Sequence, residues 1–133
     1  MPCSLLVVIL EYNPKPYLIK LYFDVLPASL NVQLRQHYFT RSALKKEWVA
    51  RIGFETSRCR PPVPLKRVNL VIKRVCKRFM DFDGAVASMK GVVDSLVICG
   101  IMHDDSYDVT GPWVVTQERG STGLFIEVRE VTP

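Results

Sequence analysis

The sequence predicts an α+β domain in which a mixed β-sheet carries two helices, in the order β-β-α-β-α-β-β. Three observations support this class. Short alternating or continuous apolar runs predict strands, two longer stretches have the apolar period of a helix, and segments rich in proline or glycine separate them. At 133 residues the chain fits a single domain, residues 1–133, which is long enough to bury a core without disulfide or metal support.

The first two elements are predicted strands. The run SLLVVILEY at residues 4–12 is too short to span a membrane and lacks the basic leader of a signal peptide, so we expect a buried strand there. We therefore expect residues 1–15 to be an additional N-terminal strand or a tail. In YLIKLYFDV, the alternation of Ile19, Leu21 and Phe23 predicts a second strand with one buried face.

The first helix is predicted at residues 41–55, after a structured loop. Trp48 and Ile52 recur with the spacing of one helical face, and Thr40 or Ser42 is the expected N-cap.

A third strand is predicted at residues 66–78. The preceding segment RCRPPVP is a loop because its prolines exclude a helix. Val68, Leu70 and Ile72 alternate onto one face of the strand, and Lys and Arg residues flank them.

The second helix is predicted at residues 84–99. Its apolar stripe consists of Val86, Met89, Val93, Leu96 and Val97. Gly100 is a suitable C-terminal stop. Two final strands, around WVVTQE and LFIEVREV, are predicted to form a hairpin through RGSTG.

Charge is distributed unevenly along the chain, whose net charge is +5. Residues 1–80 hold fifteen Lys or Arg and four Asp or Glu, whereas residues 81–133 hold three and nine. This asymmetry indicates a basic surface for a polyanion beside an acidic centre, although two oppositely charged surfaces without a ligand remain an alternative. The four cysteines are too far apart for a zinc motif, so we expect reduced thiols in a cytosolic setting.

The acidic centre is the segment DFDGAVASMKGVVDSLVICGIMHDD, residues 81–105. If the chain is extended over Asp81 and Asp83, both carboxylates point the same way and can share a divalent ion. Mg²⁺ suits such a site because it takes oxygen ligands, keeps waters and needs few carboxylates beside a phosphate. In one continuous helix, Lys90 and Asp94 share an edge with Asp83, and Lys90 can reach back toward Asp83.

Each of these residues also has an ordinary structural explanation. Asp83 alone fits an N-cap, Lys90 and Asp94 fit a helical ion pair, and Asp104–Asp105 fits a solvated turn. A metal-free domain whose acidic helix is only capped and solvated therefore remains an alternative.

The acidic segment resembles the D-x-D-N…K…D-x-L…G…DD signature of RusA-type Holliday junction resolvases, especially the phage-type members. The upstream segment LPASLNVQLRQHYFTRSALKKEW is similar to that family's proline, Ser-x-Asn and basic-aromatic region. The resemblance covers roughly residues 17–130. It implies a homodimer that binds branched DNA and resolves four-way junctions by paired nicks. The protein would be cytoplasmic, either nucleoid-associated or phage-encoded, with no membrane partner.

The resemblance also implies residue roles. Asp81, Asp83 and Asp105 would be metal-binding and catalytic carboxylates, Asp104 would share the metal, and Lys90 would be the catalytic lysine. The cofactor would be Mg²⁺, with Mn²⁺ able to substitute. Gly84 departs from the pattern, which has asparagine there, so a catalytically degenerate junction-binding protein is the alternative.

Basic residues near the predicted strand ends and loops are candidates for contacts with DNA phosphates. They are Arg35, Arg41, Arg58, Arg60, Arg67, Lys73, Arg74, Lys77 and Arg78.

Overall fold

The computed structural model describes residues 16–27 and 38–132. The predicted strand at residues 4–12 and the tail at residues 1–15 lie outside this part of the chain, as does most of the loop that precedes the first helix. The described elements are β1 (Leu18–Phe23), α1 (Tyr38–Thr56), β2 (Val68–Cys76), α2 (Phe82–Ser88), α3 (Lys90–Ile98), α4 (Tyr107–Thr110), β3 (Val114–Arg119) and β4 (Gly123–Glu130).

The predicted α+β class with a mixed sheet is confirmed. The four described strands lie in the order β1-β4-β2-β3. Strand β4 is antiparallel to both β1 and β2, whereas β2 and β3 are parallel. The central strand β2 therefore has a hydrogen-bonded neighbour on each side.

The predicted hairpin between the last two strands is wrong, because β3 and β4 pair with opposite sides of β2 instead of with each other. The connection between them passes close to the end of β2, where the Gly120 N–H donates a hydrogen bond to the Cys76 carbonyl at 3.2 Å. A Cβ at Gly120 would lie 2.9 Å from Val75 Cγ1, so a glycine permits this close approach.

The core lies between one face of the sheet and the helices. The predicted alternation is confirmed, because Ile19, Leu21 and Phe23 in β1 and Val68, Leu70 and Ile72 in β2 are all buried. Trp48 and Ile52 of α1, together with Met89, Val93 and Leu96, join the same core cluster. The edge of Trp48 meets the ring of Phe23, with centroids 5.4 Å apart, so α1 is packed directly on β1.

Helix α1 begins earlier than predicted. It starts at Tyr38, which places Thr40 and Ser42 inside the helix and excludes both as its N-cap. None of the helices within residues 16–27 and 38–132 is both long and apolar enough to cross a membrane.

Candidate functional site

The Asp-x-Asp pair lies where the chain leaves the sheet and enters α2. Asp81 is the N-cap residue of α2, and its side chain makes no capping hydrogen bond. Asp83 is already in the first helical turn. The expectation of an extended chain over both residues is therefore wrong, and so is the alternative assignment of Asp83 as the N-cap.

The predicted helix at residues 84–99 is divided at Met89 into α2 and α3. The Met89 N–H donates to the Val86 carbonyl three residues back, at 3.0 Å, so the turn is tighter than an α-helical one. The hydroxyl of buried Ser88 also donates to the Ala85 carbonyl, at 2.8 Å, in a local pattern that commonly bends helices. Because of this break, Lys90 is the first residue of a separate helix.

Lys90 joins two acidic residues of the segment. Its Nζ lies 3.1 Å from Asp94 Oδ1, one turn further along α3. It also forms a short ion pair with Asp105, fifteen residues away in sequence. Lys45 of α1 approaches the other oxygen of Asp94, at 3.7 Å. Lys90 thus contacts Asp105 and not Asp83, contrary to the expectation for a continuous helix.

The Lys90–Asp105 contact changes the protonation of both groups. The hydrogen bond from Lys90 holds the pKa of Asp105 below its ordinary value of 3.8. The same bond raises the pKa of Lys90 above 10.5, although partial burial acts in the opposite direction. The carboxylate of Asp104 is close enough to contribute to the pKa of Asp105 as well. At neutral pH this pair is therefore ionised, with a carboxylate at Asp105 and an ammonium group at Lys90.

The carboxylates form two separate groups along the chain. Asp81 and Asp83 lie at the start of α2, whereas Asp94, Asp104 and Asp105 lie around the start of α3. Helix α2 lies between the two groups along the chain. No set of three or more Asp, Glu, His or Cys side chains within the described ranges is close enough to hold a metal ion by itself.

The carboxylates of the acidic segment supply some, but not all, of the oxygen ligands that Mg²⁺ requires. Mg²⁺ commonly binds through one or two carboxylates and completes its coordination with water and phosphate oxygens, so it does not require a cage made only of protein groups. The adjacent carboxylates of Asp104 and Asp105 supply such a pair, and the exposed side chains of Asp81 and Asp83 are accessible from solvent.

A buried polar network fixes the segment that precedes Asp81. The Oε1 atom of Gln117 accepts hydrogen bonds from Arg74 Nη1 at 2.6 Å and from the Met80 N–H at 3.0 Å. The Nε2 atom of Gln117 donates to the Met80 carbonyl at 2.8 Å. Gln117 therefore ties the chain after β2 to strand β3, one residue before Asp81.

The prediction that Arg74 contacts DNA phosphates is wrong, because its side chain is buried with 5% exposure. No described carboxylate lies within ion-pair distance of it, and its buried Nε has no hydrogen-bond partner among the described residues. A buried guanidinium is costly unless its donors are satisfied, and among the described residues its acceptors are Gln117 Oε1 and, at 3.7 Å, the weaker Cys76 Sγ.

The other predicted basic residues differ in their positions. Arg58, Arg60, Arg67, Lys77 and Arg78 are exposed. Lys73 is half-exposed, with its Nζ 3.4 Å from Glu118 and 4.7 Å from the ring centroid of Phe125. Arg35 lies outside the described residues, and the side chain of Arg41 is not described.

Neither Gln117 nor Arg119 was identified as a candidate site residue from the sequence. An isolated glutamine in a strand carries no distinctive signal, but the period of β2 places Arg74 on the buried face with Leu70 and Ile72. That alternation was sufficient to indicate a buried arginine in need of a partner.

No protein-family model matches the chain, and a search of curated protein sequences also gave no match.

We predict that Lys90→Met raises the pKa of Asp105 toward its ordinary value, because it removes the hydrogen-bond donor. Carboxyl ¹³C NMR titration measures this change. Lys45→Met is the matched control, since Lys45 pairs with Asp94 and has no ion pair with Asp105. An unchanged Asp105 pKa in Lys90→Met would contradict the described contact.

The sign of the pH dependence follows from the same contact. A lowered carboxyl pKa stabilises the fold above the ordinary carboxyl pKa, and this contribution is lost as the pH falls through the lowered value. The raised pKa of Lys90 gives a contribution that is lost as the pH rises through that value. Because the Lys90 side chain is 59% exposed, we expect the pair to contribute less than about 1 kcal/mol at neutral pH.

We predict that Gln117→Ala lowers the free energy of unfolding by about 1–3 kcal/mol, because it leaves buried Arg74 with only the weak acceptor Cys76 Sγ. It should also speed hydrogen exchange at the Met80 amide. Thr116→Ala, an exposed change on the same strand, is the control and should leave that amide protected. Unchanged Met80 exchange in Gln117→Ala would show that the network does not hold this segment.

Proposed function

We propose that this protein is a Mg²⁺-dependent endonuclease that resolves four-way DNA junctions by paired nicks, as expected of a RusA-type Holliday junction resolvase. The proposal rests first on the Asp81–Asp83, Lys90, Asp94 and Asp104–Asp105 pattern. The observation that carries it furthest is the ion pair between Lys90 and Asp105, because folding joins two signature residues that are fifteen positions apart.

The proposed roles follow from the chemistry of the side chains. Asp81, Asp83, Asp104 and Asp105 supply oxygen ligands for Mg²⁺, and Mn²⁺ substitutes for it. The bound metal would activate a water and offset charge on the scissile phosphate. Lys90 places a fixed ammonium group where negative charge develops during phosphodiester cleavage. The anionic form of Asp105 at neutral pH, maintained by Lys90, agrees with a ligand role.

DNA binding is assigned to the exposed basic residues. Arg67 precedes β2, and Lys77 and Arg78 follow it, so both ends of the central strand carry cations. Phosphate contacts of this kind recognise structure and depend on salt, with little reading of bases. A junction cut symmetrically requires two active sites related by two-fold symmetry, which is the reason for proposing a homodimer.

The nicking assay tests the proposal directly. In Mg²⁺, the wild-type protein should introduce paired nicks into a synthetic four-way junction, whereas Asp83→Asn should lower the nicking rate at least about 100-fold. Junction affinity should remain within about twofold, since cations supply most of the binding.

Asp108→Asn is the matched control for the nicking assay, because Asp108 is an exposed acid in α4 that lies outside the signature. A wild-type protein that nicks no branched substrate in Mg²⁺ or Mn²⁺ would exclude the nuclease.

A junction-binding protein without catalysis is the second candidate, and Gly84 is the residue that favours it. The signature of RusA-type resolvases has asparagine at this position. A Cβ at Gly84 would meet only Met80 Sδ, at 3.9 Å, so the structure has room for a side chain there.

If the second candidate is correct, wild-type protein should shift junctions in gels without cutting them, and Gly84→Asn should restore nicking. Gly91→Asn is the matched control because a Cβ there also meets open space within a helix. Failure of Gly84→Asn to cut, with tight binding retained, would show that Gly84 is not the cause of inactivity.

A further inference from the structure

The turn between β2 and α2 exposes two aromatic rings beside Asp81. Phe79 is 50% exposed and Phe82 is 64% exposed. Neither residue belongs to the described core cluster. We name residues 77–82, together with Arg119, the aromatic turn.

Three cationic residues belong to the aromatic turn, and one of them contacts a ring. The guanidinium of Arg119 lies 4.6 Å from the centroid of the Phe79 ring, in a cation–π contact. Arg119 Nη1 also donates to the Lys77 carbonyl at 2.9 Å, which fixes the guanidinium over the ring. Lys77 and Arg78, which precede Phe79 in the same turn, are exposed. The turn thus carries three cations against the two carboxylates of Asp81 and Asp83.

The aromatic turn is held in place by the buried network beneath it. Met80 lies between Phe79 and Asp81, and Gln117 bonds both its N–H and its carbonyl. Arg119 is two residues beyond Gln117 on the same strand, so β3 supports the turn through two side chains. A ring held in this way loses little conformational freedom when a flat ligand stacks on it.

We infer that the aromatic turn binds unpaired bases of a nucleic acid, which stack on the exposed rings of Phe79 and Phe82. Lys77, Arg78 and Arg119 then contact the neighbouring phosphates. Aromatic rings interleaved with cations are the surface that unpaired strands prefer, because every base offers a face for stacking. This inference rests on the proposed function, and it specifies that the unpaired bases at the branch lie next to Asp81.

Binding is measured without any cleavage. Fluorescence anisotropy reports the affinity for a labelled oligothymidylate and for a blunt duplex of equal length, in buffer with EDTA and at several salt concentrations. Phe79→Ala should weaken binding to the single strand at least about fivefold, while duplex affinity changes less than about twofold. The log–log slope against salt should stay the same because no charge is removed.

Three further variants complete the test. Lys77→Ala should reduce the magnitude of the salt slope on the single strand by about 0.7, as expected for one lost phosphate contact. Phe79→Trp should retain the affinity because it keeps a ring for stacking. Phe54→Ala is the matched control, since Phe54 is 78% exposed on α1, outside the aromatic turn.

Unchanged single-strand affinity in both Phe79→Ala and Phe82→Ala would overturn the inference, as would an equal loss on the blunt duplex. The nicking assay separates this result from the proposed function. Junction nicking by a protein whose Phe79→Ala variant binds single strands normally would overturn the stacking inference alone. Selective loss of single-strand binding in a protein that never nicks would support stacking and exclude the nuclease.

Discussion

The hydrogen bonds of one buried arginine determine how the chain leaves the sheet. Arg74 points into the protein from the central strand, where no described carboxylate neutralises it. Its partner Gln117 must direct Oε1 toward the guanidinium, and this orientation leaves Nε2 available for the Met80 carbonyl. Burial of one cation thereby fixes the backbone on which both Phe79 and Asp81 depend. Without Gln117, the end of β2 would keep its strand pairing but lose this link to the following turn.

The break at Met89 has an equally local cause and a wider effect. The hydroxyl of Ser88 and the N–H of Met89 bond to carbonyls three residues back, and Met89 itself is fully buried. Helix α3 therefore starts at Lys90, whose ammonium group contacts Asp94 and Asp105. Under the proposed function, the separated carboxylate groups need not meet in one protein cage, because Mg²⁺ also takes water and phosphate oxygens.

The sequence was informative where burial alone decides the structure. The period-two pattern in β1 and β2 and the apolar stripe around Met89 and Leu96 correctly predicted the core, and with it the α+β class. Sequence could not predict the strand order, because the short connection RGSTG is typical of a hairpin, whereas β3 and β4 pair with opposite sides of β2. It also could not predict the Lys90–Asp105 contact, which depends on the tightened turn at Met89 and not on helical spacing.

Burial of Arg74 also reduces the number of cations that β2 can offer to DNA phosphates. The sequence places Lys73 and Arg74 within β2 and further Lys and Arg residues at both of its ends, which suggests a track for phosphates. However, Arg74 is buried, and the Lys73 side chain contacts Glu118 and Phe125. The exposed cations are left at the two ends, near Arg67 and Lys77. Nine residues of strand separate these ends by about 30 Å, close to one turn of duplex DNA. Under the proposed function, two groups of phosphate contacts at this spacing would position the protein on a DNA backbone without reading base sequence.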